Sequence, residues 1–154
     1  MSSNPATELP SGGRFILGVL IFGVLATAAY WLVWFGIDRE ILASAHSESY
    51  YAFENSFPLA DAWMGVTGVL ASLALVRRRA SALLWCIAAG SISIYLGLLD
   101  VLFDLENGIY RSPDTGGVLV EVAINVLTLS MGIVVIVWAW RSRRALLALG
   151  PQGN

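Results

Sequence analysis

Acidic residues inside apolar segments are the residues of this sequence most suited to chemistry. Asp100 and Asp104 lie four residues apart in the segment 93–106, so a helix would place both carboxylates on one face. A carboxylate within a membrane-spanning helix is costly, and such a residue is by default a candidate for a functional site. This pair is therefore the first place to expect binding or catalysis.

Two other apolar segments carry acids in a similar setting. Asp61 opens a run of small residues at three- and four-residue spacing, and Glu121 is followed by Asn125. Such stripes are typical of the inner faces of membrane helix bundles, where small residues let helices approach each other. We expect Asp61, Asp100 and Glu121 to lie in one layer, about one helical turn inside the outer boundary of the membrane. Asp104 would lie at that boundary, with Asn125 one turn deeper than Glu121.

Carboxylates brought together in this way need a positive charge or shared protons. Two of them about 5 Å apart repel by about 3 kcal/mol at an effective dielectric constant near 20. A bound metal would find only oxygen ligands, which favours Ca²⁺, Mg²⁺ or Mn²⁺ over zinc. The predicted cation-binding or ligand-binding residues are Asp61, Asp100, Asp104, Glu121, Asn125 and Glu54. Aromatic residues predicted to line the same pocket, with cation–π contacts, are Tyr30, Trp34, Trp63 and Tyr95.

Few other residues offer recognisable chemistry. The single cysteine, Cys86, excludes a disulfide within the chain and a Cys-X-X-Cys motif. The single histidine, His46, lies in a polar connection and is interpreted as a solvated residue. The sequence contains no nucleophile elbow, phosphate-binding loop or dinucleotide fingerprint. The aspartate pair also lacks the additional motifs of the magnesium-dependent membrane transferases, so no reaction class is assigned.

Composition indicates that the chain faces lipid. Only 13% of its 154 residues are charged, against about 25% in soluble domains, and the mean hydropathy is +0.72. We predict an all-α integral membrane protein, a four-transmembrane-helix bundle forming one domain over residues 15–144. Disordered and tail segments are predicted at residues 1–14 and 145–154. The predicted spans are residues 15–37, 58–76, 82–103 and 117–140.

The charges predict an orientation. All nine basic residues are arginines, and six of them fall in the runs 77–79 and 141–144. Ten of the eleven acids lie in residues 38–61 and 100–121. The positive-inside rule then predicts cytoplasmic N- and C-termini, with the acidic loops 38–57 and 104–116 on the non-cytoplasmic side of a plasma (inner) membrane. A short interfacial helix is expected within residues 38–57.

Three functions fit these features. The first is binding of a cation, a proton or an amine-like small molecule at the acidic layer. The second is an enzyme that acts on a lipid-like substrate through carboxyl acid–base chemistry. The third is an accessory or assembly subunit of a membrane complex, as a homo-oligomer or with a partner subunit. The expected partner is the lipid bilayer and not nucleic acid, because the arginines flank apolar spans. Without a broken helix or inverted repeat, a secondary transporter is disfavoured, and cation or small-molecule binding is ranked first.

Overall fold

A computed structural model describes residues 9–149, and these residues form helices with no β-strand among them. The helices are α1 (Gly13–Val33), α2 (Glu48–Glu54), α3 (Pro58–Val76), α4 (Ala82–Asn107), α5 (Thr115–Arg141) and α6 (Arg143–Leu147). Four helical stretches, containing α1, α3, α4 and α5, are long and apolar enough to cross a membrane. The all-helical class is therefore confirmed. The predictions for residues 1–8 and 150–154 lie outside the described residues.

The helix boundaries follow from local chemistry. Helix α3 begins at Pro58, where the missing N–H of proline costs little, and its bounds match the predicted span. Helix α4 continues four residues past the predicted end at 103 and stops at Gly108. Gly108 takes a left-handed conformation with φ of 69° and donates its N–H to the carbonyl of Asp104. Asp104 therefore lies within the last turns of α4 and not beyond its end.

The polar connection after α1 folds back over one end of the bundle. A wider helical turn at Trp34–Asp38 extends α1, and the short helix expected in the connection is present as α2. The side chain of Ser47 begins α2 by accepting a hydrogen bond from the N–H of Tyr50 at 3.1 Å. Trp34, Tyr50 and Ile109 are buried together beneath this connection, where they form an aromatic-rich cluster.

The opposite end of the bundle carries the arginine runs and the larger apolar core. Buried side chains of α1, α3, α4 and α5 meet there, and α6 adds Leu146, which lies within the segment predicted as a tail. A tight turn joins α3 to α4, in which Arg78 has a φ of 52°. The N–H groups of Arg78 and Arg79 donate to the carbonyls of Leu75 and Ala74 and close the end of α3.

Packing is uneven around the bundle. Helix α4 packs extensively against α5 on one side and α3 on the other, and α1 packs mainly on α3. Contacts between α1 and α5 are sparse by comparison. Around the bundle the helices therefore follow the order α1, α3, α4, α5, and the interface between α1 and α5 is the weakest of the four.

The tightest crossing joins α4 and α5. A methyl group added at Gly90 would lie 2.8 Å from the carbonyl oxygen of Gly132, and one added at Gly132 would lie 2.8 Å from that of Gly90. One turn further along, the hydroxyl of Ser93 donates to the carbonyl of Thr128 at 2.8 Å. Small residues thus bring the two backbones together, as expected for stripes that pack helices.

We expect Gly90→Ala to destabilise the protein by about 1–3 kcal/mol, because the new methyl group must push α4 and α5 apart. Gly65→Ala in α3 is the matched control, since a methyl group there meets no atom within 4 Å. The control should be neutral or stabilising by up to about 1 kcal/mol. Thermal unfolding of both variants in detergent measures the difference, and equal stability of the two would contradict this packing.

Candidate functional site

Three carboxyl groups converge at the end of the bundle opposite the arginine runs. Asp100 and Asp104 project from one face of α4, and Glu121 projects from α5, which runs antiparallel to it. One carboxylate oxygen from each of the three lies within 4.8 Å of the others. Asp104 is 0% exposed and Glu121 is 3% exposed. We refer to Asp100, Asp104 and Glu121 as the carboxylate cluster.

A polar network supports the cluster from the side of α5. Asn125 donates from its amide nitrogen to the Asp104 carboxylate at 2.8 Å and to the Tyr110 hydroxyl at 3.0 Å. Tyr110 follows the left-handed Gly108, which turns the chain back toward the bundle. Burial raises the pKa of Tyr110, and the neighbouring Asp104 carboxylate raises it further, so the phenol stays protonated at neutral pH.

Two buried oxygens of this network have no hydrogen-bond donor among the described residues. They are the second carboxylate oxygen of Asp104 and the amide oxygen of Asn125. A buried acceptor without a donor costs roughly 1–3 kcal/mol, so native structures usually provide one. Both atoms are acceptors and both lie beside acids, so a positively charged ligand or a hydrogen-bond donor would satisfy them.

A cavity of about 180 Å³ adjoins the cluster and gathers acids from four helices. Its acidic lining residues are Glu54, Asp61, Asp100 and Glu121. Two of them accept hydrogen bonds from aromatic side chains of α1, namely Glu54 from the Tyr30 hydroxyl at 2.9 Å and Asp61 from the Trp31 indole at 2.8 Å. The side chains of Asp100 and Glu121 receive no such bond within the described chain. Their hydrogen-bond partner within the described residues is each other, through a shared carboxyl proton.

No arginine neutralises these acids within residues 9–149. The guanidinium carbon of Arg39 lies 4.1 Å from the centre of the Tyr51 ring, and Arg111 is exposed. Neither Arg39 nor Arg111 therefore forms an ion pair with these acids. The donors that reach the site are uncharged. Adjacent carboxylates here repel by about 3 kcal/mol at an effective dielectric constant near 20 unless protons or a cation intervene.

The structure brings together many of the residues predicted from sequence. Asp100, Asp104 and Glu121 form the cluster with Asn125 beside it, whereas Asp61, Glu54 and Tyr30 line the adjoining cavity. Asp104, predicted at the boundary, is fully buried.

The other three predicted aromatics lie elsewhere. Trp34 is buried under α2, where its indole donates to the side-chain oxygen of Asn55 at 3.1 Å. Trp63 and Tyr95 are 53% and 57% exposed on the outside of the bundle. Trp63 lies two residues after Asp61, and Tyr95 lies two residues before Gly97, and both Asp61 and Gly97 lie on the inner faces of their helices. Two residues correspond to a rotation of about 200° on a helix, which explains the outward position.

Sequence reasoning missed two supporting residues. Trp31 lies four residues after Thr27, so the helical period of α1 could have identified it as an inward residue. Tyr110 carried no such signal, because its position depends on the reversal at Gly108.

The residues present would fit a hard cation. Carboxylate and amide oxygens are the ligands that Ca²⁺, Mg²⁺ and Mn²⁺ prefer, and no histidine or thiol is part of the group. No protein-family model, curated protein or solved structure shows significant similarity to this chain. The function is therefore argued from the geometry of the site.

We expect Asn125→Ala to destabilise the protein by about 1–3 kcal/mol, because it leaves the Asp104 carboxylate buried without its amide donor. Asn107→Ala is the matched control, since Asn107 is exposed at the end of α4 and bonds only a local carbonyl. The control should change stability by less than about 0.5 kcal/mol. Unfolding midpoints in detergent compare the two, and a neutral Asn125→Ala would show that the network does not support the fold.

Proposed function

We propose that this chain is a small integral membrane protein that binds a cation at the carboxylate cluster, with both termini in the cytoplasm. The observation that carries the proposal is the close approach of Asp100, Asp104 and Glu121, within 4.8 Å, without a basic side chain among residues 9–149 to balance them. The cation is a metal such as Ca²⁺, Mg²⁺ or Mn²⁺, a proton or an organic ammonium group.

The membrane location is supported by the outer surface of the bundle. Large apolar side chains are exposed along all four long helices, where water would be a poor solvent. Examples are Phe22, Leu25, Val69, Leu73, Leu98, Leu102, Val126 and Val137. The arginine runs lie at one end and the acids at the other, so the positive-inside rule favours cytoplasmic termini and an outward-facing site.

Cation binding is supported by the imbalance of charge and hydrogen bonds. Glu54 and Asp61 each receive one aromatic donor and Asp104 receives one amide, whereas Asp100 and Glu121 have only each other as hydrogen-bond partners within the described chain. A ligand with positive charge therefore gains most beside Asp100 and Glu121. It would also offset the repulsion between neighbouring carboxylates.

An enzyme is the second candidate, and one observation favours it. Asp100 and Glu121 line a cavity that shares lining residues with an apolar cavity deeper in the bundle, which places a hydrocarbon-lined space beside both groups. One carboxyl group could act as acid and the other as base. Turnover of a lipid substrate that is lost in Asp100→Asn would favour this function over simple binding.

We expect a cation that fits the cluster to raise the unfolding midpoint of the purified protein. Free ligand at about 100 times its Kd adds about 2.7 kcal/mol to the free energy of unfolding. Ca²⁺, Mg²⁺, Mn²⁺ and ethylammonium are tested in detergent. The effect should be lost in Asp100→Asn and kept in Glu106→Gln, a matched control at an exposed acid of the same helix. If none of these four cations stabilises the protein, cation binding is contradicted.

We expect a membrane-impermeant maleimide to label intact cells at the acidic end of the bundle and not at the arginine end. Cys86 is buried and is replaced in Cys86→Ser to remove background. His46→Cys should react in intact cells, whereas Ala80→Cys in the α3–α4 turn should react only after permeabilisation. The reverse pattern would invert the orientation, and labelling of both positions in intact cells would contradict the spanning topology.

A further inference from the structure

The acidic cavity, a second cavity and a surface groove lie next to one another in the bundle, and we refer to this row of spaces as the path. The second cavity, of about 100 Å³, lies next to the acidic cavity and shares with it lining residues of α1, α3 and α5, among them Thr27, Met64 and Thr128. This second cavity, the apolar cavity, shares Val19, Phe22, Leu127 and Met131 with a groove on the outer surface between α1 and α5. The three spaces therefore adjoin one another from the outer surface to the acids.

Polarity changes along this path. The groove and the apolar cavity are lined by aliphatic, aromatic and small side chains, and none of their lining residues is charged. The acidic cavity adds four carboxyl groups together with the rings of Tyr30 and Trp31. One end of the path thus suits hydrocarbon, and the other suits a cation against carboxylates and aromatic faces.

The opening of the path lies at the weakest joint of the bundle. Helices α1 and α5 pack sparsely on each other, and the groove between them lies on the side surface of the bundle. For a bundle that spans a membrane, that side faces the lipid chains. A ligand that partitions into the bilayer could therefore enter from the side.

The dimensions limit the size of the ligand. Along α4 the two cavities extend from Ala89 to Asp100. These eleven steps correspond to roughly 16 Å at a rise of about 1.5 Å per residue. An extended alkyl chain with C–C bonds of about 1.5 Å covers that distance with roughly a dozen carbons. The apolar cavity of about 100 Å³ admits a single chain and holds only part of it, so the remainder of the tail would lie in the adjoining groove of about 530 Å³ between α1 and α5.

We infer that the cation bound by the cluster is the head group of a single-tailed cationic amphiphile, whose tail passes through the apolar cavity into the groove between α1 and α5. The inference rests on the proposed function and narrows it from any cation to one ligand class. A phosphate-bearing head group does not fit, because Arg39 lies over Tyr51, Arg111 is exposed and no guanidinium lines the acidic cavity.

Gly65 offers a way to test the tail without touching the acids. It lines the apolar cavity and not the acidic one, and a side chain added there enters open space. Gly65→Leu should fill the cavity, and Gly65→Ala should fill it less. Both leave Asp100, Asp104 and Glu121 unchanged.

The experiment measures unfolding midpoints in a neutral maltoside detergent against dodecylammonium, ethylammonium and uncharged dodecanol. We expect Gly65→Leu to lower the affinity for dodecylammonium at least tenfold and Gly65→Ala to lower it less. Ethylammonium should stabilise the wild type and both variants equally. Partition of a ligand into detergent micelles cancels when variants are compared with that ligand, and different ligands are compared at equal free concentrations in water. Asp100→Asn should no longer bind either amine.

The outcomes separate the inference from the proposed function. If Gly65→Leu binds dodecylammonium as wild type does, while Asp100→Asn loses it, the cation site stands and the tail site is overturned. Dodecanol binding as tightly as dodecylammonium would overturn the cationic head group. If Asp100→Asn binds both amines as wild type does, ammonium binding at the cluster fails together with the inference. If Gly65→Leu does not fold, two other results together overturn the tail site. One is that Gly65→Ala binds dodecylammonium as tightly as the wild type does, and the other is that the wild type binds ethylammonium and dodecylammonium with equal affinity.

Discussion

The backbone contact between α4 and α5 at Gly90 and Gly132 is the constraint on which the rest of the structure depends. It brings the helices close enough for Ser93 to bond a carbonyl of α5, and this fixes their register. Two to three turns further along the same seam, that register sets Asp100 against Glu121. A site made from two helices requires this precision, because a shift of one residue would rotate an acid by about 100° away from its neighbour.

The sequence was most informative where chemistry is local. Pro58 and the arginine triplet mark the ends of α3, and spacings of three and four residues identify the inner faces of α4 and α5. Those patterns suffice to bring Asp100 and Glu121 together, because the two helices are antiparallel neighbours. They say less about α1, whose inner face is weakly marked. The helical period counted from Thr27 marks both Trp31 and Trp34 as inward, and the choice between them as a cavity residue depends on how α1 is rotated against α3.

Other parts of the site depend on single conformations. Tyr110 reaches Asn125 only because Gly108 adopts a left-handed conformation, and Asp104 is buried because α4 continues to that glycine. The acids also differ in how they are satisfied. Aromatic side chains of α1 donate to Glu54 and Asp61, and the amide of Asn125 donates to Asp104, whereas Asp100 and Glu121 have only each other as hydrogen-bond partners within the described chain. The site is thus graded, with its most strongly supported acids at the margin and its least supported acids at the centre.

The short turn between α3 and α4 has a consequence for biosynthesis. Arg78 and Arg79 close the end of α3 with their own N–H groups, so local backbone hydrogen bonds hold the turn that joins α3 and α4 into a hairpin. A ribosome makes this hairpin before it makes α5, and chains begin to fold from the N-terminal side. In a protein inserted into a membrane during synthesis, Asp100 and Asp104 therefore arrive before Glu121 and Asn125 exist. The last long helix to be made is the one that completes the site.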